Sequence, residues 1–334
     1  MSGERILVTG GAGFIGSHYV RRVLADHADR DMRVTVLDLL TYAGRAANLA
    51  EAQQDPRLTF VQGDVCDSTL ISTLVAEHDT IVHFAAETHV DRSITRPRGF
   101  VQTNVCGTQN LLDAVLHHHG PAAVFVHIST DEVYGSTDTG SWSETAPLCP
   151  TSPYAAAKAA ADLLVLAYHR TYGLDVRVTR CSNNYGPRQF PEKLIPLFVT
   201  HLISGRPVPL YGDGRNRRDW LHVDDHVDAV DLVRRHGRPG EIYNIGGGEE
   251  LSNREVTDRL LRLCGAGWDM VREVEDRQGH DRRYSLDCRK AAVELGYSPR
   301  RDFGEGLKST VDWYRGNPAW WEAASTDMSR PARA

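Results

Sequence analysis

Residues 6–17, Ile-Leu-Val-Thr-Gly-Gly-Ala-Gly-Phe-Ile-Gly-Ser, place Gly10, Gly13 and Gly16 three apart, directly after a β-branched run and at the mouth of a helical pattern. Few features restrict a fold so tightly. Glycines at that spacing permit a sharp strand-to-helix turn and close approach of backbone to a pyrophosphate, while the free N–H groups of the helix start, here at Phe14 and Ile15, attract the anion. Asp38 follows at the end of the next apolar run, 22 positions after Gly16, where a carboxylate can take the hydroxyls of an adenosine ribose. A 2′-phosphate would meet its charge, and no Lys or Arg follows Asp38 until Arg45, so the turn reads as a site for NAD rather than NADP. Gly63, Asp64 and Val65 after a third run suit an adenine edge, although Asp64 could equally cap a helix.

The surrounding chain repeats this grammar. Arg5–Val8, Arg33–Leu37, Leu58–Gln62, Thr80–Phe84 and Ala123–Ile128 read as strands, with Ser17–Ala28 and Val101–His118 as helices between them. That pattern predicts an α/β fold with a doubly wound parallel sheet of Rossmann type. Prolines at 187, 191, 196, 207 and 209 change the texture, so a smaller mixed α/β C-terminal lobe is expected from there. The expected division is an NAD-binding domain at 1–182, rejoined at about 222–247, a substrate lobe at 183–320 and a frayed tail at 325–334. Helices are expected near Ile195–Ser204, Asn253–Cys264 and Gly304–Arg315, and a strand at Tyr243–Ile245.

Composition excludes several classes. A chain of 334 residues with 41% hydrophobic and 25% charged residues is neither disordered nor fibrous. A net charge of −6 gives no reason to expect a nucleic-acid or membrane partner, so any anionic ligand must meet a local group of cations. Six cysteines without a Cys-x-x-Cys pair read as reduced thiols, the opening residues leave no room for a signal peptide, and no apolar run is long enough to span a bilayer. A cytoplasmic protein is expected. His117, His118 and His119 before Gly120 read as helix C-terminal capping, with no metal expected. Trp313, Trp320 and Trp321 are expected to pack the C-terminal end onto the second lobe.

Tyr154 and Lys158 lie at i and i+4 of a strongly helical segment that Pro153 opens, hence on one face. A lysine cation beside a phenol favours the phenolate, and a tyrosine so tuned can take a proton from an alcohol while hydride leaves for a nicotinamide. The glycine turn together with Tyr-x-x-x-Lys resembles the extended short-chain dehydrogenase/reductase superfamily, many of whose members oxidise or rearrange nucleotide sugars.

At the end of the fifth strand stand Thr130, Asp131 and Glu132. Simple alcohol oxidation has no use for two adjacent carboxyls there. In a hexose oxidised at C4, the ketone acidifies the C5 hydrogen; a carboxylate could remove it while a carboxylic acid protonates the departing C6 hydroxyl, and hydride could then return to C6. Neighbouring strand residues point to opposite faces, so Asp131 and Glu132 can share one substrate only if the chain has left strand geometry at 131.

This triplet resembles the dTDP-glucose 4,6-dehydratase family, and the resemblance extends over about residues 4–320. It implies that Thr130 contacts the C4 oxygen, Asp131 is the acid and Glu132 the base, with Tyr154 and Lys158 completing the catalytic set. It also implies NAD contacts at Ala85, Ala86, Thr103 and Asn184, with Asn104 on the cofactor side. Substrate contacts implied are Thr88 (where the family more often has Ser), Asn183, Glu192, Lys193, Leu194, Pro209, Tyr211, Arg218, Asn253, Arg277, His280 and Tyr284. Arg215, Arg217, Arg282 and Arg283 are further cations of the same lobe. Gln278 stands where the family usually has proline. The implied activity is NAD-dependent dehydration of dTDP-glucose by a cytoplasmic homodimer pairing through the helices that begin near Thr103 and Tyr154. A 4-epimerase or UDP-glucuronate decarboxylase of the same superfamily is the alternative, and a non-catalytic dinucleotide-binding regulator a second one.

Overall fold

Short runs of β-branched residues buried on both faces form the centre of the computed structural model, which describes residues 3–26 and 31–327. β1 (Arg5–Thr9), α1 (Phe14–Leu24), β2 (Arg33–Asp38), β3 (Leu58–Gln62), α2 (Ser68–Ala76) and β4 (Thr80–His83) alternate as the apolar runs predict. Then come α3 (Val90–Thr95), α4 (Pro97–Val101) and α5 (Gly107–His118), the last two joined by a π-helical turn at Gln102–Cys106. β5 (Val124–Thr130), α6 (Pro153–Tyr172) and β6 (Asp175–Cys181) follow.

The second part contains β7 (Asn183–Tyr185), α7 (Leu194–Ile203), β8 (Val208–Tyr211), β9 (Arg217–His222), α8 (Val223–His236) and β10 (Ile242–Ile245). It continues through β11 (Glu250–Ser252), α9 (Asn253–Cys264), β12 (Val271–Val274), α10 (Arg289–Leu295), α11 (Phe303–Gly316) and α12 (Pro318–Asp327).

Seven strands make a parallel sheet in the order β10-β6-β5-β4-β1-β2-β3. Chain order reverses between β1 and β4, and ligands of open α/β sheets sit at such a switch point, beyond the carboxyl ends of the strands. One apolar layer, including Val20, Val34, Val82, Val227 and Val230, fills the α1/α8 side, and another, including Ile71, Leu111, Val165 and Val176, fills the α2/α5/α6 side. β7, β9 and β11 form a separate small sheet, β8 pairs with β12, and α7, α9 and α11 cover a third core around Phe198, Leu260 and Tyr314.

Some boundaries differ from the sequence reading. α1 begins at Phe14 and ends at Leu24, because the glycine turn itself starts the helix; of the expected Ser17–Ala28, residues 27 and 28 lie outside the described residues. The expected helix Val101–His118 is broken by the π turn. Ser325–Asp327, expected as frayed tail, are the end of α12, whose tryptophans anchor it: Trp321 is buried in the third core and Trp320 Nε1 donates to Asn48, in the turn between β2 and β3, at 3.0 Å. Residues 328–334 of that expected tail lie outside the described residues.

Candidate active site

The cleft opens above the carboxyl ends of β1, β2, β4 and β5. Gly10 has φ +69°, and a Cβ there would sit 2.6 Å from the Ala85 nitrogen; one on Gly16 would sit 2.3 Å from the Gly10 carbonyl oxygen. Only glycine allows this turn and this packing of helix on strand. No side chain caps α1, so its first N–H groups remain available to an anion. Asp38 is held in place by two backbone donors, Ala12 N–H at 2.9 Å and Leu40 N–H at 2.8 Å. Asp64 lines the same cleft and accepts the Cys66 N–H at 2.9 Å, whereas the cap of α2 is Asp67.

Gly13, Phe14, Ile15, Val65, Ala85, Ala86, Thr103 and Asn184 stand with these residues along the cleft wall. The loop 85–88 is fixed from the π turn: Asn104 accepts the Glu87 N–H at 2.8 Å and donates to its carbonyl at 3.0 Å. A left-handed glycine, an uncapped helix start and a carboxylate at the tip of β2 make a cradle that suits NAD.

At the tip of β5 the chain leaves strand geometry where the shared-face condition requires. Thr130 is extended, and a 3₁₀ turn begins at Asp131. The Thr130 hydroxyl accepts the Glu132 N–H at 3.3 Å and donates to Asp131 Oδ1 at 3.1 Å. Both carboxyls therefore line the cleft. Tyr154 enters from the first turn of α6, which Pro153 opens and Ser152 caps by accepting the Ala155 N–H. Its phenol lines the cleft with Thr130, whose hydroxyl lowers the phenol pKa against the effect of burial. Lys158, one turn on, donates to the Ile128 carbonyl at 2.6 Å.

The electrostatics separate the two carboxyls. Burial, reinforced by the neighbouring Glu132 charge, drives Asp131 well above the usual carboxylate range. Glu132 is raised by burial as well, but Arg277, Lys193 and Arg218 all pull it back down. Asp131 is thus the group that keeps a proton and Glu132 the one that gives it up first. Tyr154 departs from the sequence reading: burial and then the Glu132 charge push its phenol well above the usual value. Lys158, itself lowered by burial to about 8, directs its ammonium to a carbonyl, so the phenol without a bound nicotinamide is neutral.

The second lobe closes the other side. Asn183, Glu192 and Lys193 line the cleft with Thr88, and Lys193 Nζ donates to the Thr88 carbonyl at 2.8 Å. Glu192 accepts the Tyr42 hydroxyl at 3.1 Å. Arg218 stacks over Tyr284 at 4.4 Å and donates to the Asp281 carbonyl at 2.9 Å. Arg277 lies 3.7 Å from Asp91, whose other oxygen accepts the Tyr211 hydroxyl at 3.3 Å, and the Tyr211 ring meets His280 edge-on.

Of the expected substrate residues, Leu194, Pro209, Tyr211, Arg218, Asn253, Arg277, His280 and Tyr284 do not line the cleft; Leu194 begins α7, Pro209 sits in β8 and Asn253 begins α9, while Arg218 and Arg277 act on Glu132 through their charge. Arg282 pairs with Asp213, Arg283 with Glu250 and Arg217 with Glu255, so these cations have carboxylates within their own lobe. Arg215 is exposed near Asp213. Gly44, which the sequence reading missed, also lines the cleft, where a Cβ would sit 2.4 Å from Asp38 Oδ1; its signal was a glycine six positions after that carboxylate.

Among the described residues no group of His, Cys, Asp and Glu could hold a metal ion. His119 instead caps α5, its ring within hydrogen-bond distance of the Val75 carbonyl.

Comparison with known proteins gives consistent matches. The family model for GDP-mannose 4,6 dehydratase matches residues 7–310. A dTDP-glucose 4,6-dehydratase of Streptomyces antibioticus is 63% identical, over 98% of this chain and 97% of that protein. The crystal structure of a DesIV double mutant, a dTDP-glucose 4,6-dehydratase from Streptomyces venezuelae with NAD and DAU bound, superposes with a TM-score of 0.94 at 58% identity, covering 96% of this chain and 99% of that one. A UDP-glucose 4-epimerase from Thermotoga maritima shares the fold at a TM-score of 0.86 and 31% identity, covering 94% and 99% of the two chains.

Proposed function

The chain belongs to the GDP-mannose 4,6 dehydratase family, among its dTDP-glucose 4,6-dehydratases, and on that premise we propose that it is an NAD-dependent hydro-lyase converting dTDP-glucose to dTDP-4-keto-6-deoxyglucose. The observation that carries this reading is the turn at Thr130-Asp131-Glu132, which turns two carboxyls of unequal proton affinity into one cleft beside Tyr154.

Tyr154, ionised as the positive charge of a bound nicotinamide would favour, takes the proton of the C4 hydroxyl. Glu132 then removes the hydrogen from C5, acidified by the C4 ketone. Asp131 gives its proton to the C6 hydroxyl as the C6–O bond breaks, so one water leaves. NAD, bound along Gly10–Gly16, Asp38 and Asp64, supplies the hydride acceptor at C4 and the hydride donor at C6, with no net redox change. Lys158 holds the nicotinamide end, and Thr88, Asn183, Glu192, Lys193 and the Tyr211–Arg218–Arg277–His280–Tyr284 group hold the nucleotide sugar. Arg is suited to the diphosphate by its fork of donors.

With this reading go a division into a cofactor domain at 1–182, rejoined at about 222–247, and a nucleotide-sugar lobe at 183–320. β10 at the edge of the main sheet supports that return. A cytoplasmic location is proposed on the six free cysteines, and among the described residues no helix is long and apolar enough to cross a membrane. A homodimer is proposed through α4–α6, whose outward faces carry the exposed Val101 and Leu163.

The test offers a panel of nucleotide sugars to the protein with NAD and reads product masses. Loss of one water from dTDP-glucose is expected. Unchanged mass with inversion at C4, or loss of carbon dioxide from a uronate, would overturn the reading.

A further inference from the structure

Tyr154, Lys158 and Asp162 succeed one another at four-residue intervals along the buried face of α6, but only the first two reach the cleft. Asp162 is fully buried beneath them. Arg180 on β6 donates to its Oδ2 at 2.8 Å, and His127 on β5 approaches its Oδ1 to 3.4 Å. Arg180 itself is 2% exposed and stacks over the Tyr134 ring at 4.7 Å. β5 therefore meets α6 twice, through His127 at Asp162 and through the Ile128 carbonyl at Lys158. Asp162 is thus hydrogen-bonded from β6 and packed against His127 from β5, a buried charge tied to the helix register with no hydrogen bond to its Oδ1.

From this geometry we infer that Asp162, held by Arg180 and His127, is a positioning residue that keeps the Lys158 ammonium charged and in place. The inference rests on the dehydratase reading above.

The groups facing Lys158 are few. Tyr154 and Asp162 share its helix; Cys181 and Arg180 face it from β6, His127 from β5 and His83 from β4. Burial lowers both histidines and leaves them neutral, with His127 at about 4, and raises the Cys181 thiol to about 12. Asp162 is the anion of the group: burial opposes its charge, but His127, Arg180 and Lys158 hold it at about 2. For Lys158 the order is the reverse. Burial lowers it to about 8, and Asp162 is the largest influence holding it up. Without that anion Lys158 loses its proton at a lower pH, and with it the positive charge it presents to the cleft.

The test is the pH profile of kcat for dTDP-glucose dehydration by the NAD-loaded protein. In Asp162→Asn the alkaline limb is expected to move down by about one pH unit, so that kcat falls about threefold near pH 7.5 and more above it, as expected for a lysine titrating near 8. KM should stay within about twofold, because Asp162 does not line the cleft. Asp162→Glu should restore the limb.

Asp162→Asn leaves Arg180 as an unpaired buried charge, which could prevent folding. The double variant Asp162→Asn/Arg180→Met removes both charges and is expected to fold and to move the limb in the same direction, by less, because the Arg180 cation is lost with the Asp162 anion. An unmoved limb in the folded variants, with wild-type turnover intact, would overturn the inference while leaving the dehydratase reading standing. A wild-type chain that does not dehydrate dTDP-glucose would overturn both.

Discussion

Thr130 donates its hydroxyl to Asp131 Oδ1 at 3.1 Å while accepting the Glu132 N–H at 3.3 Å, so one side chain fixes both carboxyl-bearing residues where strand becomes turn. The two carboxyls then differ in surroundings. Asp131 Oδ2 is buried with no hydrogen-bond partner among the described residues, and Glu132 feels the charges of Arg277, Lys193 and Arg218. Acid and base are set apart by what surrounds them, since their chemistry is the same.

If Glu132 is the base, Glu132→Gln should still oxidise C4 but lose exchange of the C5 hydrogen with deuterated water, and turnover should fall ~100-fold or more. Asp131→Asn should retain the exchange and slow the loss of water instead. Undiminished C5 exchange in Glu132→Gln would remove Glu132 from the role.

Gly16→Ala places a methyl group against the Gly10 carbonyl at 2.3 Å, a backbone contact that cannot yield without opening the turn. A destabilisation of about 1–3 kcal/mol is expected from such overpacking, together with loss of copurifying NAD. Wild-type melting temperature and NAD content would contradict the cradle.

Asp38→Ala leaves the Ala12 and Leu40 N–H groups without their acceptor and removes the carboxylate that selects against a 2′-phosphate. NAD affinity should fall about 5- to 150-fold, given ~1–3 kcal/mol for a lost charged acceptor, while that for NADP should fall less. Calorimetric titration with each dinucleotide checks the ratio.

Asp219 supplies the pH dependence of stability. It is 5% exposed and accepts the Gly247 N–H at 3.0 Å, and burial raises it to about 6 from a normal 3.8. The folded protein holds this proton more tightly than the unfolded chain does, so the contribution is complete below pH 3.8 and lost as pH rises through 6. It amounts to about 3 kcal/mol at 1.36 kcal/mol per unit. Urea unfolding across that window should flatten in Asp219→Asn; an unchanged slope would contradict the assignment.

What the sequence could disclose follows from how local each task is. Gly10 and Gly16 do backbone work that only glycine performs, and Tyr154 and Lys158 share a face through helix periodicity alone. Simple strand alternation would have put Asp131 and Glu132 on opposite faces, and it is the cap made by Thr130 that ends the strand one residue earlier. The π turn at Gln102–Cys106 has no Gly or Pro within it to announce it; Asn104 there is fixed by Glu87, far off in sequence. Sorting the arginines also needed tertiary contacts, since Arg282 and Arg283 pair closely with Asp213 and Glu250 at 2.9 and 2.7 Å whereas Arg277 lies 3.7 Å from Asp91 of α3.

The central claim is that oxidation at C4, elimination across C5 and C6, and reduction at C6 occur within one cleft on one substrate molecule. dTDP-glucose carrying deuterium at C4 tests it most directly. The product should be the 4-keto-6-deoxy sugar with that deuterium in its C6 methyl group and a solvent hydrogen at C5. Deuterium still at C4, or released to solvent, would contradict the account.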